Sequence, residues 1–470
     1  MEGLEISEIK KSELENFMDF SPEFYKKDYL IKAKKLKSFN YNDISNFSYV
    51  TDGEHGSPDW DENTNIKYVT AEYIKPNYIL DGDFKTISQS QHKKNNRSSL
   101  REKDVLIYSV GAYAGYSAMA EIHLFPANIP RSVAIIRPNK NSDIISEYLT
   151  VFLNSKFGNF QSKRYSAGNA QPVLALEKIN QFIVPVLNNI FQLKISEIYN
   201  KSYKKRLDSK LTYKQAEELL LETIGLKNFK PTNEKINIKS FKDSFIEEGR
   251  LDSEYYLPKY EHIKKVIENN SYGYTLVSYE YDLVKSSSKR DKSKYSYVEI
   301  GDIDISDGFA STNVIDTKDL PANAKLEVMK GDLLISKVRP NRGAVSIIDF
   351  EQDDLIVSGA FTVLREKESS NFSNEILKVL LRTNIYKEWL LKFNIGSQYP
   401  VIRDEDILNL QIPRIPIELQ RLIKDKIKIS QSIKKESEKL LEVAKKAVEI
   451  AIEENEEVAL KFINENIKKI

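Results

Sequence analysis

Two short polar loops in the second half of the chain carry the side chains best suited to contacting a nucleic acid. The first is Arg339-Pro340-Asn341-Arg342, preceded by Lys337, and the second is Ser397-Gln398-Tyr399. Arg, Asn and Gln can each form two hydrogen bonds to a purine edge in the major groove, and Tyr can stack or contact phosphate. These residue types therefore predict a surface that reads DNA bases.

The first half of the chain has loops at the corresponding positions, but their side chains differ. Gly111-Ala112-Tyr113-Ala114 stands where residues 339–342 stand, and Asn169-Ala170-Gln171 stands where residues 397–399 stand. A constant scaffold with altered polar loops is what reading two different half-sites requires. Ordinary drift of surface loops would produce the same pattern, so the sequence leaves both explanations open.

Basic stretches fall in corresponding regions of the two halves, at residues 93–101 and 289–294. Lys and Arg there would neutralise phosphates and supply affinity that does not depend on sequence. A solvated loop is the alternative for each stretch. Lys163-Arg164-Tyr165 lies just ahead of the loop at Asn169. The residues predicted to contact DNA are Tyr113, Arg164, Tyr165, Asn169, Gln171, Lys289, Arg290, Lys337, Arg339, Asn341, Arg342, Gln398 and Tyr399.

These loops belong to an internal repeat. Asp104, Leu106, Ile107 and Val110 return 228 positions later as Asp332, Leu334, Ile335 and Val338, and the register holds without a gap for some ninety positions. The recurring residues include glycines and prolines, which fix special backbone positions. The chain is therefore predicted to contain two copies of one unit, residues 13–226 and 242–460, joined by the polar stretch 227–239.

Each copy is predicted to begin with a short aromatic helix (residues 23–36 and 254–267) and to end with a long amphipathic one (192–224 and 417–456). Between them come strands at 104–110, 132–137, 331–338 and 358–365, and helices at 146–157 and 374–393. We expect the long helices, roughly 45 and 60 Å in length, to pack antiparallel as a rod between two lobes. The alternative is two surface helices on separate cores. Ile195, Ile198, Leu220, Ile423, Ile427 and Leu441 would form the seam.

Length and composition set further limits. A chain of 470 residues exceeds what one core usually supports, and 70 Lys+Arg against 69 Asp+Glu says nothing about partners. The absence of cysteine excludes disulfides and thiolate chemistry. The sequence has no signal peptide and no run apolar enough to span a bilayer, which predicts a cytoplasmic protein.

The chain has neither an Asn/Asp-Pro-Pro-aromatic run for adenine methylation nor a glycine-rich phosphate loop. The acidic residues between 52 and 62 are interpreted as a polar loop, and the four histidines share no metal-ligand spacing. We therefore expect no catalytic residue and no bound metal or cofactor in this chain.

Several stretches together resemble the specificity subunits of type I restriction–modification enzymes. They are Arg250-Leu251-Asp252-Ser253-Glu254-Tyr255-Tyr256, Val298-Glu299-Ile300-Gly301-Asp302-Ile303, Lys330-Gly331-Asp332-Leu333-Leu334-Ile335-Ser336, Gly396 with Pro400-Val401-Ile402, and Ile412-Pro413 with Glu418-Leu419-Gln420. The first copy repeats the pattern more loosely, as Lys103-Asp104-Val105-Leu106-Ile107 and Ile183-Val184-Pro185 with Phe191-Gln192. No single motif is unique, and the duplicated order is the specific part.

The resemblance implies a non-catalytic subunit that recognises a two-part DNA site. Its partners would be double-stranded DNA, two adenine-methyltransferase (modification) subunits and restriction subunits, with S-adenosylmethionine, ATP and Mg bound only by those partner subunits. The expected fold is α+β, with two homologous lobes separated by an antiparallel two-helix rod with pseudo-twofold symmetry.

The expected domains are a first recognition domain (1–191), a first long helix (192–226), a linker (227–241), a second recognition domain (242–416) and a second long helix with a tail (417–470). A rod of this length would hold the lobes slightly more than one DNA turn apart, which is about 34 Å. A self-contained nuclease, a protein-only coiled-coil scaffold and a related fused type II system remain alternatives.

Overall fold

The computed structural model describes residues 7–11, 14, 21–80, 82, 84–111, 113–166, 172–350, 352–468 and 470. The chain forms two compact units. The first consists of Met1–Arg206 with Lys434–Ile470, and the second is Leu207–Ile433. Each unit therefore contains a lobe of mixed helices and strands, together with part of each long helix.

The described residues of the first lobe form ten short strands and six α-helices, and the first long helix follows them. The strands are β1 (Tyr41–Asp43), β2 (Ser48–Asp52), β3 (Lys67–Tyr68), β4 (Ile74–Lys75), β5 (Tyr78–Ile79), β6 (Val105–Tyr108), β7 (Ser117–Met119), β8 (Ala127–Asn128), β9 (Val133–Pro138) and β10 (Ile183–Pro185). The helices are α1 (Lys27–Lys37), α2 (Ile44–Phe47), α3 (Gln89–Lys94), α4 (Ser146–Asn154), α5 (Lys156–Ser166), α6 (Leu176–Ile179) and the long α7 (Asn189–Thr223).

The second lobe repeats this order, and its long helix is followed by one further helix. The strands are β11 (Tyr274–Leu276), β12 (Tyr281–Leu283), β13 (Lys294–Val298), β14 (Ile303–Asp304), β15 (Phe309–Ala310), β16 (Asn313–Asp316), β17 (Ala324–Glu327), β18 (Leu333–Ser336), β19 (Val345–Ile347), β20 (Leu355–Ser358), β21 (Phe361–Glu366) and β22 (Gln411–Pro413). The helices are α8 (Pro258–Glu268), α9 (Val277–Glu280), α10 (Asn374–Arg382), α11 (Asn384–Leu390), α12 (Asp404–Leu408), α13 (Ile417–Glu453) and α14 (Glu456–Ile467).

The same four-stranded antiparallel sheet forms the centre of each lobe. Its strand order is β2-β9-β6-β7 in the first lobe and β12-β21-β18-β19 in the second. Successive side chains of a strand point to opposite faces, so Val105 and Ile107 of β6 enter one core and Leu106 enters another. Leu333, Leu334 and Ile335 of β18 divide in the same way, so both sheets are buried on both faces.

The lobes differ most in the segments inserted around this sheet. Among the described residues of the first lobe, the strands inserted there form two-stranded pairs, β3 with β8 and β4 with β5. The second lobe has a further four-stranded sheet, in the order β16-β13-β20-β17. The central four-stranded sheet is therefore the same in both lobes, whereas the strands inserted around it differ.

The helices predicted at 146–157 and 374–393 are each broken, and this corrects the sequence interpretation. The breaks fall at Ser155 and Thr383, which are equivalent positions of the two copies. Ser155 Oγ accepts hydrogen bonds from the Phe157 and Gly158 amides, and Thr383 Oγ1 accepts one from the Tyr386 amide. Each hydroxyl caps the second helix and so ends the first.

The long helices are close to their predicted bounds. The first begins at Asn189 rather than at residue 192, and α13 ends at Glu453. A separate helix, α14, follows because Asn455 caps it by accepting a hydrogen bond from the Val458 amide at 3.0 Å. The predicted seam residues Ile195, Ile198, Leu220, Ile423 and Ile427 are buried, whereas Leu441 is only partly buried and Leu440 takes the inner position.

The helices α7 and α13 contact each other within each unit through paired serines. In the first unit, the Ser202 and Ser437 hydroxyls each donate to the other residue's carbonyl, at 2.9 and 2.8 Å. In the second unit, Ser209 and Ser430 do the same at 2.8 Å in both directions. Ser202 is equivalent to Ser430, and Ser209 to Ser437, so one contact is made twice with the helices exchanged.

A buried glutamine attaches each long helix to its lobe. Gln192 Oε1 accepts from the Ile145 amide, and its Nε2 donates to the Asp143 and Leu187 carbonyls. Gln420 makes the three equivalent bonds in the second lobe, with the backbone groups of Ser373, Asn371 and Ile415. The repeated Gln of the sequence motif therefore has a structural function, since it satisfies three backbone groups in each copy.

An ion pair with a buried carboxylate also occurs in both lobes. Arg137 makes a bidentate contact with Asp104 at 2.6 and 2.7 Å, and Arg365 makes one with Asp332 at 2.8 Å through both nitrogens. Both carboxylates are only 1% exposed and also accept a backbone amide, from Arg101 and from Met329. The repeated Asp and Arg thus form the same ion pair in both lobes, and this pair closes the turn before β6 and before β18.

These observations confirm the α+β class and the duplicated lobe, and they confirm that the long helices pair antiparallel in each unit. In the described part of the chain, no helix combines the length and apolarity that crossing a bilayer needs.

The buried ion pair gives a stability prediction. Arg137→Ala leaves the Asp104 carboxylate buried without its cation, so we expect a loss of about 3–5 kcal/mol in the free energy of unfolding. Lys32→Ala removes a pair whose Asp28 carboxylate is 62% exposed, and should change that free energy by less than about 0.5 kcal/mol. Urea unfolding of both variants measures the difference, and equal losses would contradict the assignment.

Candidate DNA-reading loops

The two predicted loop pairs are built on the same backbone frame in both lobes. In the first lobe Val110 forms a bridge with Val173, and the Gly111 amide donates to the Pro172 carbonyl at 2.9 Å. In the second lobe Val338 forms the equivalent bridge with Val401, and the Arg339 amide donates to the Pro400 carbonyl at 2.7 Å. The structure thus joins segments that are about sixty residues apart in sequence, at the same place in each copy.

The backbone at the start of this loop has a positive φ in both lobes. The value is 127° at Gly111 and 50° at Arg339. Glycine adopts this region freely, whereas a residue with a side chain held there costs of order 1–3 kcal/mol. The second lobe therefore places a large cationic side chain at a position where the backbone geometry favours glycine.

In the second lobe the predicted base-contacting side chains lie together and are exposed. Arg339, Asn341, Arg342 and Gln398 are exposed, and Tyr399 is 44% exposed. The Arg339 guanidinium lies 5.4 Å from the centre of the Tyr399 ring, which joins the two loops through a cation–π contact. Arg339 and Arg342 form no ion pair with any residue that the structure describes. The result is an exposed surface of two cations, two amides and one aromatic ring.

The first lobe presents a different surface on the same frame. Tyr113 is 55% exposed and stacks on Tyr116, with ring centres 5.3 Å apart, while Tyr108 meets it edge-on at 6.3 Å. Burial, and secondarily the neighbouring Tyr113, raises the pKa of both Tyr108 and Tyr116, so these hydroxyls stay protonated. The predicted contacts Asn169 and Gln171 lie outside the described residues.

Arg164 and Tyr165 are not on this surface, which corrects their assignment. Arg164 is 4% exposed, donates to the Phe24 carbonyl and lies 3.9 Å from the centre of the Phe24 ring. Tyr165 is 9% exposed and stacks on Phe182. The equivalent of Arg164 in the second lobe is Lys392, whose ammonium lies 4.3 Å from the Tyr255 ring. This cation is a repeated packing element, so it cannot reach a phosphate without rearrangement.

Two of the other predicted phosphate contacts are also engaged within the protein. Lys337 forms an ion pair with Asp404 at 3.1 Å. Arg290 donates to the carbonyls of Pro321, Ala322 and Ala324, and so holds a turn together. Lys289 is exposed, as are Lys93 and Lys94 of α3. The exposed lysines are therefore better candidates for phosphate contact than Arg164 and Arg290.

The acidic loop of the first lobe is held against α3 and the turn after it. Arg97 donates to the Thr51 hydroxyl, to the Asp52 carboxylate and to the Gly53 carbonyl. Glu54 accepts from the Gly56 amide at 2.8 Å and from the Asn95 side chain. These two donors, in that order, lower the pKa of the Glu54 carboxyl to about 2. Among the described residues no group of three or more His, Asp or Glu is arranged to hold a metal.

Comparison with known proteins adds independent information. No family model matches the chain. A segment of 121 residues, 25% of the chain, is 30% identical to the type I restriction enzyme HindI specificity subunit of Haemophilus influenzae. The match covers 26% of that protein, so it spans about a quarter of the relative's length. The resemblance seen in the sequence is thereby confirmed for this segment, which is similar to part of a type I restriction specificity subunit.

Solved structures of type I specificity subunits also align with this chain over most of their own length, with TM-scores below 0.5. The type I restriction–modification S subunit from M. genitalium is 11% identical, covering 91% of this chain and 96% of that chain with a TM-score of 0.36. The HsdS subunit from Thermoanaerobacter tengcongensis is 14% identical, covering 89% of this chain and 97% of that chain with a TM-score of 0.29.

Sequence reasoning missed several residues that organise this region. The four serines between the long helices were not singled out, although they are spaced seven apart in each helix and recur 228 positions later. Asn154 and Arg382, the last residues of α4 and α10, were also missed. They occupy equivalent positions but differ in type, so a search for repeated identities passes over them.

The depressed pKa of Glu54 predicts a pH dependence. Because the folded-state pKa of about 2 lies below the ordinary 4.5, the charged carboxylate adds stability that is fully present above about pH 4.5. That contribution is lost as the pH falls towards 2. Urea unfolding of the unmodified chain and of Glu54→Gln should therefore differ most near pH 7 and converge on acidification. Asn95→Ala should show the same trend with a smaller amplitude. A difference that widens at low pH would contradict this account.

Proposed function

We propose that this chain is the DNA-recognition subunit of a type I restriction–modification complex and that its two lobes read the two parts of a split site. The observation that carries the proposal is the loop pair, which is built twice on one backbone frame with different exposed side chains. The frame is kept in both copies, whereas its exposed side chains change from Tyr113 in the first lobe to Arg339, Asn341, Arg342 and Gln398 in the second. The sequence relationship to a type I specificity subunit supports the same conclusion.

The chemistry of the second loop pair fits the major groove. Arginine makes two hydrogen bonds to guanine O6 and N7, and Asn or Gln makes two to adenine N6 and N7. Arg339, Asn341, Arg342 and Gln398 supply these groups from an exposed surface. Tyr399 limits the freedom of the Arg339 side chain through its ring contact, which lowers the entropy lost on binding.

In the first lobe Tyr113, with Asn169 and Gln171, would read the other part of the site. Exposed lysines such as Lys289, Lys93 and Lys94 would bind phosphates and give the salt-dependent part of the affinity. The expected partners are double-stranded DNA, two modification subunits and restriction subunits. S-adenosylmethionine, ATP and Mg would be bound by those partner subunits, and this chain would contribute recognition without catalysis.

The double variant Arg339→Ala with Arg342→Ala tests the proposal. Each arginine that contacts a guanine contributes about 1–3 kcal/mol of discrimination, so the base preference at its position should fall about 5- to 150-fold. Methylation-sensitive sequencing of cells that carry the variant chain with its partner subunits gives the methylated motif. We expect one part of that motif to change or disappear and the other part to keep its preference.

The matched control is Lys264→Ala with Lys265→Ala, which removes the same charge from an exposed face of α8 in the same lobe. This control should leave both parts of the motif intact. An unchanged two-part motif in the arginine variant, or equal damage to both parts, would count against the proposal. Cleavage of DNA by the purified chain with magnesium and no partner would instead support a self-contained nuclease.

A further inference from the structure

The reading loop of the second lobe is connected to α7 through a single arginine. Arg382 Nε lies 3.0 Å from the Tyr213 hydroxyl oxygen, and Tyr213 belongs to α7. One terminal nitrogen of Arg382 donates to the Gly343 carbonyl at 2.8 Å, and the other donates to the Ile305 carbonyl at 3.0 Å. Since Gly343 directly follows residues 339–342, this guanidinium links the base-contacting turn to the long helix.

The first lobe makes the same connection with different chemistry. Asn154 stands at the position equivalent to Arg382 and bonds both backbone groups of Ser117, at 3.2 and 2.7 Å. Its amide also donates to the Asn77 side chain at 3.1 Å, and the Asn77 carbonyl accepts from the Tyr199 hydroxyl of α7 at 2.8 Å. The Ser117 hydroxyl donates to the carbonyl of Gly115, which closes the loop that starts at Gly111.

The ends of both connections at α7 are buried. Ser117 is fully buried, Tyr199 is 2% exposed and Tyr213 is 8% exposed. Water cannot readily replace a hydrogen bond lost at such a position, so the loss leaves a polar group unpaired. Side chains that read base edges must be held within about 0.5 Å of their productive positions, and exposed loops need buried supports to achieve this.

We propose that Tyr199 and Tyr213 are positioning residues, which set the placement of the reading loop of the first and second lobe, respectively, on α7. The inference rests on the proposed function and deepens it. Tyr199 bonds a residue of the first lobe and Tyr213 a residue of the second, so each serves one lobe. Loss of either hydroxyl therefore affects the reading of one half-site and leaves the reading of the other unchanged.

The test uses the full chain assembled with its modification subunits. The probes are duplexes that carry the methylated motif with single base changes in one part or the other, and the readout is the ratio of methylation rates for matched and changed duplexes. Tyr213→Phe should lower this discrimination about tenfold in the half-site that the arginine double variant assigns to the second lobe, and change the other by less than about twofold. Tyr199→Phe should give the reverse pattern.

Tyr279→Phe is the matched control, since Tyr279 is a 69% exposed residue of α9, and it should change neither ratio. Arg382→Met should exceed the effect of Tyr213→Phe because it also releases Gly343 and Ile305. Equal losses in both half-sites, or unchanged ratios in both tyrosine variants, would overturn the inference. A complex of the unmodified chain that shows no two-part motif would instead refute the proposed function, so the two failures are distinguishable.

Discussion

The register of α7 against α13 is set by buried serine hydroxyls. In each unit two serines exchange hydrogen bonds with each other's backbone carbonyls, which requires small side chains and close helices. A shift of one helix along the other would place these hydroxyls against apolar side chains and leave them unpaired, at about 1–3 kcal/mol for each group. Polar residues in an apolar seam are known to specify register in this way. The same helix α7 carries the two tyrosines that support the loops.

Each lobe combines constant supports with variable exposed groups. The Asp–Arg pair that closes the turn before β6 and β18, and the glutamine at the start of each long helix, are the same in both copies. The loops, the inserted strands and the residue that supports each loop differ. Such a division lets a duplicated unit change what it recognises without losing its core, because the buried groups that must be satisfied are kept apart from the exposed ones.

The repeat, the main strands and the long helices were predictable because their signals are periodic and recur at a fixed spacing. The helix breaks at Ser155 and Thr383 were not, since each depends on one hydroxyl that caps the following helix. Arg164 was placed on the surface from its neighbours in sequence, but it packs on Phe24, 140 residues away. The exposed loop residues were found from residue type alone, whereas their buried supports needed the contacts between distant segments.

Selection of bound duplexes from a random-sequence library measures the central claim most directly. The full chain, assembled with its modification subunits, is incubated with the library at several salt concentrations between about 50 and 200 mM, and the retained duplexes are sequenced. The account predicts two short, specified base sequences separated by a spacer of fixed length and unspecified sequence. A single continuous recognition sequence, or retention of duplexes without any sequence preference, would contradict it.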